Sequence, residues 1–560
     1  MKDLYSLAIE ELYLILQNSL EKLFLKESVE KTDVKFLIEI PQEKKFGDFA
    51  TNIAMVSSKI FRENPLSLAK KILENVDLND SFFSRFEIKK PGFINFFLDR
   101  RWYEEVLKNI LKEGENFGKT DFGGKKRVVV EFVSANPTGP MHIGNARGGA
   151  IGDSLAECFK FAGFFVSKEF YVNDAGNQIE KFKKSLSLRY LQLFSKEENF
   201  QMPTDCYLGE DIVQHAKNFA DVYGDAFINR SEKERQDALV SYALPINIEN
   251  LKKDLLKYRV EYDCWFFESS LYKNNSVFKI IDMLDKKGYV EKRDGATFFC
   301  YSKCGGEKDE VLIRENGIPT YFASDIAYHY DKFKNRSFDL AINIWGADHH
   351  GHVNRLKAAL VVLGVNSTLE IVLMQLVRLV DKGQTLKLSK RAGNGISLNS
   401  LLEIIPIDVA RFFFNLKEPN SHFDFDLNLA QEESEKNPVY YLQYAFARAC
   451  GILNKLSIGQ DFSFEEVDFS VLKEKEEFEL IKEIARFPSE IIEAVRTYNP
   501  SKIARFALDV ASLFHKFYVN CKIKGQAENI LKFRVCLCIA VINVLKNAFS
   551  ILKIEAKKEV

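Results

Sequence analysis

The spacing of apolar positions changes character along the chain, and those changes divide it. Leu4 to Leu23 and Ser67 to Val76 repeat at helical spacing, whereas Val34 to Ile40 and Phe93 to Leu98 read as short strands. Residues 1–112 are therefore expected to form a small α+β domain. Glu113 to Lys126 is polar and glycine-rich, a linker. From Arg127 onward strands and helices alternate: Arg127 to Val133 strand, Ile143 to Ala162 helix, Phe165 to Val172 strand, then a long helix from about Ala175. Further on, Leu340 to Trp345 and Leu369 to Val377 flank a helix near His352 to Leu363. This alternation predicts a doubly wound parallel sheet over 123–430, with ligands at the carboxyl ends of its strands. The charged helical stretch 194–256 has no strand partner and reads as an insertion. Past about Ala430 only helical patterns remain (Tyr440 to Leu456, Glu477 to Val495, Ser501 to Tyr518, Glu528 to Leu552), so 431–560 should be an all-α bundle.

Composition changes this picture little. Hydrophobic residues make up 46% and charged ones 28%, as in a soluble enzyme of several domains. With 78 basic and 79 acidic side chains, the average field attracts no polyanion, and any nucleic-acid contact must come from local patches. The nine cysteines lack a disulfide framework, and Cys300 with Cys304 lacks the further ligands a zinc site needs, so no metal site is expected. Free thiols fit a reducing cytoplasm. Asp3, Glu10 and Glu11 do not suit a secretory leader, and the apolar run Val535 to Leu545 falls short of a membrane span.

The chemistry concentrates in two segments. Asn136-Pro137-Thr-Gly139-Pro-Met-His142-Ile-Gly144-Asn145 lies between a strand and a helix start, where backbone N–H groups and the helix dipole favour phosphate. Gly144, Gly148 and Gly152 share one helix face, a ridge suited equally to tight packing or to a flat base. Far downstream, Lys387-Leu-Ser389-Lys390-Arg391 precedes Gly393 and Gly395, and its two lysines could neutralise a leaving polyphosphate. Gly114 to Thr120 imitates a phosphate loop, but its glycines are one residue too close and it precedes the strand instead of following it. Asp348, His349, His350 and His352 suggest a metal cluster, yet three histidines at that spacing cannot share one face.

Together these segments resemble the HIGH and KMSKS elements of class I aminoacyl-tRNA synthetases. Their surroundings narrow the resemblance to the arginyl-tRNA synthetase family: Glu131-Phe-Val-Ser134-Ala-Asn136-Pro137 and Thr320-Tyr321-Phe-Ala-Ser-Asp325-Ile-Ala-Tyr328-His329 are similar to that family's site segments. The resemblance implies a Rossmann-like catalytic domain that activates L-arginine with ATP and Mg²⁺, then charges the terminal ribose of a tRNA. It places ATP on Pro137, Gly139, His142, Gly144, Asn145, Gly148, Asp348, Lys387 and Lys390. His142, Asn145, Lys387, Ser389 and Lys390 form the catalytic set, although Asn145 stands where the family usually has a second histidine. A guanidinium needs carboxylates and an aromatic wall, and the resemblance assigns arginine to Glu131, Ser134, Asn136, Tyr321, Asp325, His329 and Asp348, with His349 alongside. The segments around Gly47 and Pro91 resemble the family's tRNA-contacting N-terminal domain. Tyr440, Tyr444, Phe446 and Arg448 fall in its anticodon-binding region and could stack on unpaired bases. The resemblance further implies a cytoplasmic monomer that binds no membrane and needs tRNA present for the first step. A cysteinyl- or glutamyl-type synthetase, a nucleotidyltransferase on the same fold and a non-catalytic tRNA-binding relative remain open alternatives.

Overall fold

Five parallel strands form the centre of the structure, a computed structural model that describes residues 3–41, 43–195, 201–347, 350–385, 396–456, 464 and 467–558. Their order is Thr368–Met374, Leu340–Gly346, Arg127–Glu131, Phe165–Val172, Cys264–Phe267. Val128, Val129 and Val130 are fully buried because the sheet is covered on both faces, which explains a continuous apolar run in place of alternation. Arg127–Glu131 sits mid-sheet, parallel to both Leu340–Gly346 and Phe165–Val172, so the order reverses at its carboxyl end. A ligand crevice is expected there. The helix Ile143–Phe161 leaves from that point and packs along the sheet, with Gly152 facing Phe132. A Cβ at Gly152 would lie 2.2 Å from the Phe132 ring, so that glycine serves close packing.

The N-terminal part is a four-stranded antiparallel sheet beneath helices such as Leu4–Lys26 and Pro65–Leu73. The strand expected over Val34 to Ile40 is reduced to Ile38–Glu39. The downstream strand divides as well: Thr368–Met374 stays in the parallel sheet, while Val377–Asp381 joins a second small sheet with Gln384–Thr385 and Phe423–Asp426. A three-stranded antiparallel sheet (Val290–Arg293, Ala296–Phe299, Glu310–Ile313) lies where no strands were expected. The stretch 194–256 forms two helices, Glu210–Tyr223 and Glu232–Lys257, packed with Asn177–Phe194 around Phe182, Tyr190, Phe219 and Leu239.

Past Gln431 the described residues contain no strand. The helix expected over Glu477 to Val495 is two, Lys475–Ile484 and Phe487–Arg496. Pro488 explains the break: it cannot continue a helix from the preceding turn but fits the first turn of the next. Glu528–Leu552 exceeds the apolar run inside it and is long and apolar enough to cross a membrane by length and composition, but most of its residues are buried in the bundle. Arg411, fully buried, ties the C-terminal helix to the helices Ile143–Phe161 and Glu232–Lys257: it donates to Leu552 O at 3.0 Å, Tyr258 O at 3.0 Å and Asp153 Oδ2 at 2.6 Å. A charge so deep is tolerated because each donor finds an acceptor and Asp153 supplies the counter-charge.

Candidate active site

Beyond Glu131 the chain bends sharply, with Val133 and Ser134 at φ of 68° and 39°, before extending to the helix start. His142 is the N-cap: its Nδ1 accepts from the Gly144 N–H at 3.1 Å, so a neutral ring carries its proton on Nε2. The Asn145 Oδ1 accepts from the His142 N–H at 3.1 Å. That carbonyl oxygen is therefore engaged in closing the helix end, leaving the Asn145 amide as its donor toward a ligand.

A cavity of about 430 Å³ opens on this turn. One wall is Asn136, Thr138, Gly139, Met141, His142 and Asn145; the other is Cys206 to Asp211 of the insertion, with Ser397 closing the end. Ser397 forms an antiparallel bridge with His142, and the Leu398 N–H donates to Met141 O at 2.8 Å. Lys387, Ser389 and Lys390 lie outside the described residues, as do Asp348 and His349. Gly144 and Gly148 line the sheet-facing helix; a Cβ at Gly148 would only reach ordinary contact with Met374 at 3.6 Å, so packing alone does not demand that glycine.

On the sheet's other side the helix Tyr321–Tyr330 carries the second set. Tyr321 is part exposed; its hydroxyl accepts from the Asn177 N–H at 3.0 Å and its ring covers Gly176. Four residues on, Asp325 Oδ2 meets His352 Nε2 at 2.8 Å, and the His352 ring packs on Phe322 and Trp345. Ser134 Oγ bridges the bend, donating to Glu131 Oε1 at 3.1 Å and accepting from the Tyr171 N–H at 3.2 Å.

Two expected ligand residues are spent inside the protein. Glu131 is buried, and its Oε2 accepts from Lys332 Nζ at 2.7 Å. Lys332 is itself fully buried on a π-turn, Asp331–Asn335, 201 positions away, so an internal cation already neutralises that carboxylate. His329 is buried too: Nδ1 meets Asp325 O and Nε2 meets Asn343, each at 2.7 Å. Burial first, then nearby Lys332, holds its pKa well below the ordinary imidazole value, making it a neutral core histidine.

Glu268 lies at the same site, and nothing beside it in the sequence singles it out. It follows the strand Cys264–Phe267 and is 1% exposed, and its Oε1 has no hydrogen-bond partner among the described residues. Asn173 lies between it and Asn136, 2.5 Å from Glu268 Oε2 and 2.9 Å from the Asn136 side chain. Burial and then the neighbouring Asp325 push the Glu268 carboxyl up to about 8. Two carboxylates that repel each other beside Tyr272 and Tyr321 make a site that a cation would stabilise. The available signal was its place at the carboxyl end of a strand in the parallel sheet.

In the bundle, Tyr440, Tyr444 and Arg448 occupy one face of the helix Pro438–Lys455 and are part exposed. Arg448 donates to the Tyr444 hydroxyl at 2.6 Å and lies over the Tyr444 and Tyr518 rings. Phe446 is different: it is 3% exposed and packs on Phe549, so it belongs to the core and is not available to stack on a base.

Comparison with known proteins covers nearly the whole chain. Family models match at residues 10–98 (arginyl tRNA synthetase N terminal domain), 106–426 (tRNA synthetases class I (R), catalytic domain) and 442–560 (DALR anticodon binding domain). An arginine–tRNA ligase of Caldanaerobacter subterraneus subsp. tengcongensis is 49% identical over 95% of this chain and 94% of its own length. That of Acetivibrio thermocellus is 48% identical over 97% of each. The structure of Thermus thermophilus arginyl-tRNA synthetase superposes with a TM-score of 0.72 at 19% identity, covering 99% of this chain and 100% of that one.

Proposed function

The chain belongs to the arginyl-tRNA synthetases of class I, and on that premise we propose how its cleft divides the work. The enzyme activates L-arginine with ATP and charges tRNA with it. In the reading proposed here, the triphosphate lies against the His142 turn. The positive end of the helix dipole faces the phosphates and the His142 Nε2–H donates to their oxygens, while Asn145 keeps that helix end closed. Asn136, held near Asn173, takes the α-amino group of arginine. The carboxylate of arginine attacks the α-phosphorus in line and pyrophosphate departs toward Lys387 and Lys390, whose charge matches the charge developing there. ATP enters as its Mg²⁺ complex, which is substrate. A terminal ribose hydroxyl of tRNA then attacks the arginyl carbonyl and AMP leaves.

The observation that carries the specificity assignment is the buried Glu268 carboxylate beside Asp325, one of whose oxygens has no hydrogen-bond partner among the described residues. A guanidinium supplies the charge and the fork of donors that this pair lacks. Residues 1–112 are assigned to tRNA contact, 123–430 to catalysis and 431–560 to the anticodon, with Tyr440, Tyr444 and Arg448 as candidate base contacts. The enzyme is proposed to act as a cytoplasmic monomer away from membranes, and to need tRNA for the activation step. Amino-acid-dependent charging of total tRNA by the purified chain tests the reading, with charging expected from arginine and from no other natural amino acid. Pyrophosphate exchange with arginine but without tRNA should stay near background; full exchange there overturns the tRNA requirement.

A further inference from the structure

The helical insertion reaches the phosphate turn through a buried hydrogen-bonded chain. Asn247, on Glu232–Lys257, donates its amide Nδ2 to the Pro137 carbonyl at 3.0 Å. Its Oδ1 meets Nε2 of His215, on Glu210–Tyr223, at 2.7 Å. His215 and Asn247 are both buried, 7% and 6% exposed. The direction of this chain is forced. A carbonyl can only accept, so the amide nitrogen must face Pro137 and the amide oxygen must face His215, which then donates from Nε2. Pro137 offers no N–H of its own, so its carbonyl is the handle by which this part of the turn can be held. The helix carrying His215 begins at the cavity wall, where Glu210 and Asp211 face the same space as Gly139 and His142.

We propose that Asn247 is a positioning residue for the phosphate-binding turn, held in place by His215, so that the insertion sets the geometry in which ATP meets His142. This rests on the assignment of ATP to that turn. The juxtaposition that carries it is a buried, fully polarised His215–Asn247–Pro137 chain joining two insertion helices to a loop that otherwise belongs to the sheet.

The test compares Asn247→Asp, His215→Gln and His215→Leu in the full-length enzyme. Asn247→Asp is nearly isosteric, keeps the acceptor for His215 and turns an oxygen toward the Pro137 carbonyl. Its kcat/KM for ATP should fall about ten-fold, with the arginine KM within two-fold and a melting temperature only a few degrees lower. His215→Gln, which still donates, should stay near wild type, while His215→Leu should lie between. Constants within two-fold in Asn247→Asp overturn the proposal. So does equal loss toward ATP and arginine, or unfolding of both Asn247→Asp and His215→Leu, because each marks a merely structural role. The two failures read differently: a wild-type chain that charges no arginine overturns the functional reading, whereas normal wild-type charging with indifferent variants overturns only the positioning role.

Discussion

His142 and Ser397 are bridged as neighbouring strands, with the Leu398 N–H donating to Met141 O at 2.8 Å. Two segments remote in sequence thus meet on one edge of the cavity, and the Lys387–Lys390 segment ends a few residues before that junction. The bridge is backbone to backbone, so it survives side-chain substitution and anchors Ser397 at the cavity edge.

Removing one of those lysines should therefore cost chemistry and little else. Lys390→Ala is expected to lower arginine activation about 10²–10³-fold, the usual effect of deleting one charge-stabilising group, while tRNA binding stays within two-fold. Pyrophosphate exchange in the presence of tRNA and a filter-binding assay separate the two. Unchanged turnover removes the segment from the mechanism.

Glu268 gives the site a pH dependence of definite sign. In the free enzyme its carboxyl is pushed up to about 8, so below that pH it is mostly protonated. A guanidinium pairs best with the carboxylate, so arginine binding must expel that proton at neutral pH. Arginine affinity should rise with pH up to about 8 and then level off, and Glu268→Gln should abolish that slope while weakening binding throughout. Titrating arginine binding by calorimetry in buffers of different ionisation enthalpy also reads the released proton. A pH-independent affinity in the wild type removes Glu268 from the guanidinium site.

The same shift links Glu268 to stability. Its folded value lies above the ordinary carboxylic value of about 4.5, so between about 4.5 and 8 the folded state holds a proton that the unfolded chain has lost. This contribution to stability is complete at the acid end of that window and is lost as pH rises through it. Glu268→Gln removes the buried charge and should raise the melting temperature of the ligand-free enzyme at pH 8 relative to wild type, with a smaller difference at pH 5. An equal or lower melting temperature at pH 8 contradicts the assignment of a buried carboxylate without a counter-charge.

Much of this architecture is legible in residue order, and the exceptions have physical causes. The strand–turn–helix around Glu131 to Asn145 is readable because its signals are local: a β-branched run, a Pro and Gly turn, a capping residue. The three short strands between Val290 and Ile313 are four residues each, too brief for a period to emerge. Glu131 looks like a ligand because no cation lies near it in sequence; its counter-charge Lys332 arrives only through tertiary folding. Glu268 is obscure for the converse reason, since only the sheet order brings Cys264–Phe267 to the cleft edge. Phe446, two residues from both Tyr444 and Arg448, turns to the opposite face of the same helix.

Lys332 should behave as a structural cation. It lies 2.7 Å from Glu131 and 3.9 Å from Glu169, both buried. Lys332→Met leaves Glu131 without its counter-charge and should destabilise the fold by about 3–5 kcal/mol, the usual cost of breaking a buried pair from one side. A melting temperature equal to wild type contradicts the pairing.

Selection of a charged side chain by Glu268 and Asp325 is tested most directly by charging kinetics with arginine and with citrulline, its uncharged near-isostere. The wild-type enzyme should favour arginine by at least about 10³-fold in kcat/KM, because citrulline leaves both carboxylates without a cation, and Glu268→Gln should shrink that ratio. Comparable charging of the two amino acids by the wild type, or a ratio that Glu268→Gln leaves unchanged, contradicts the account.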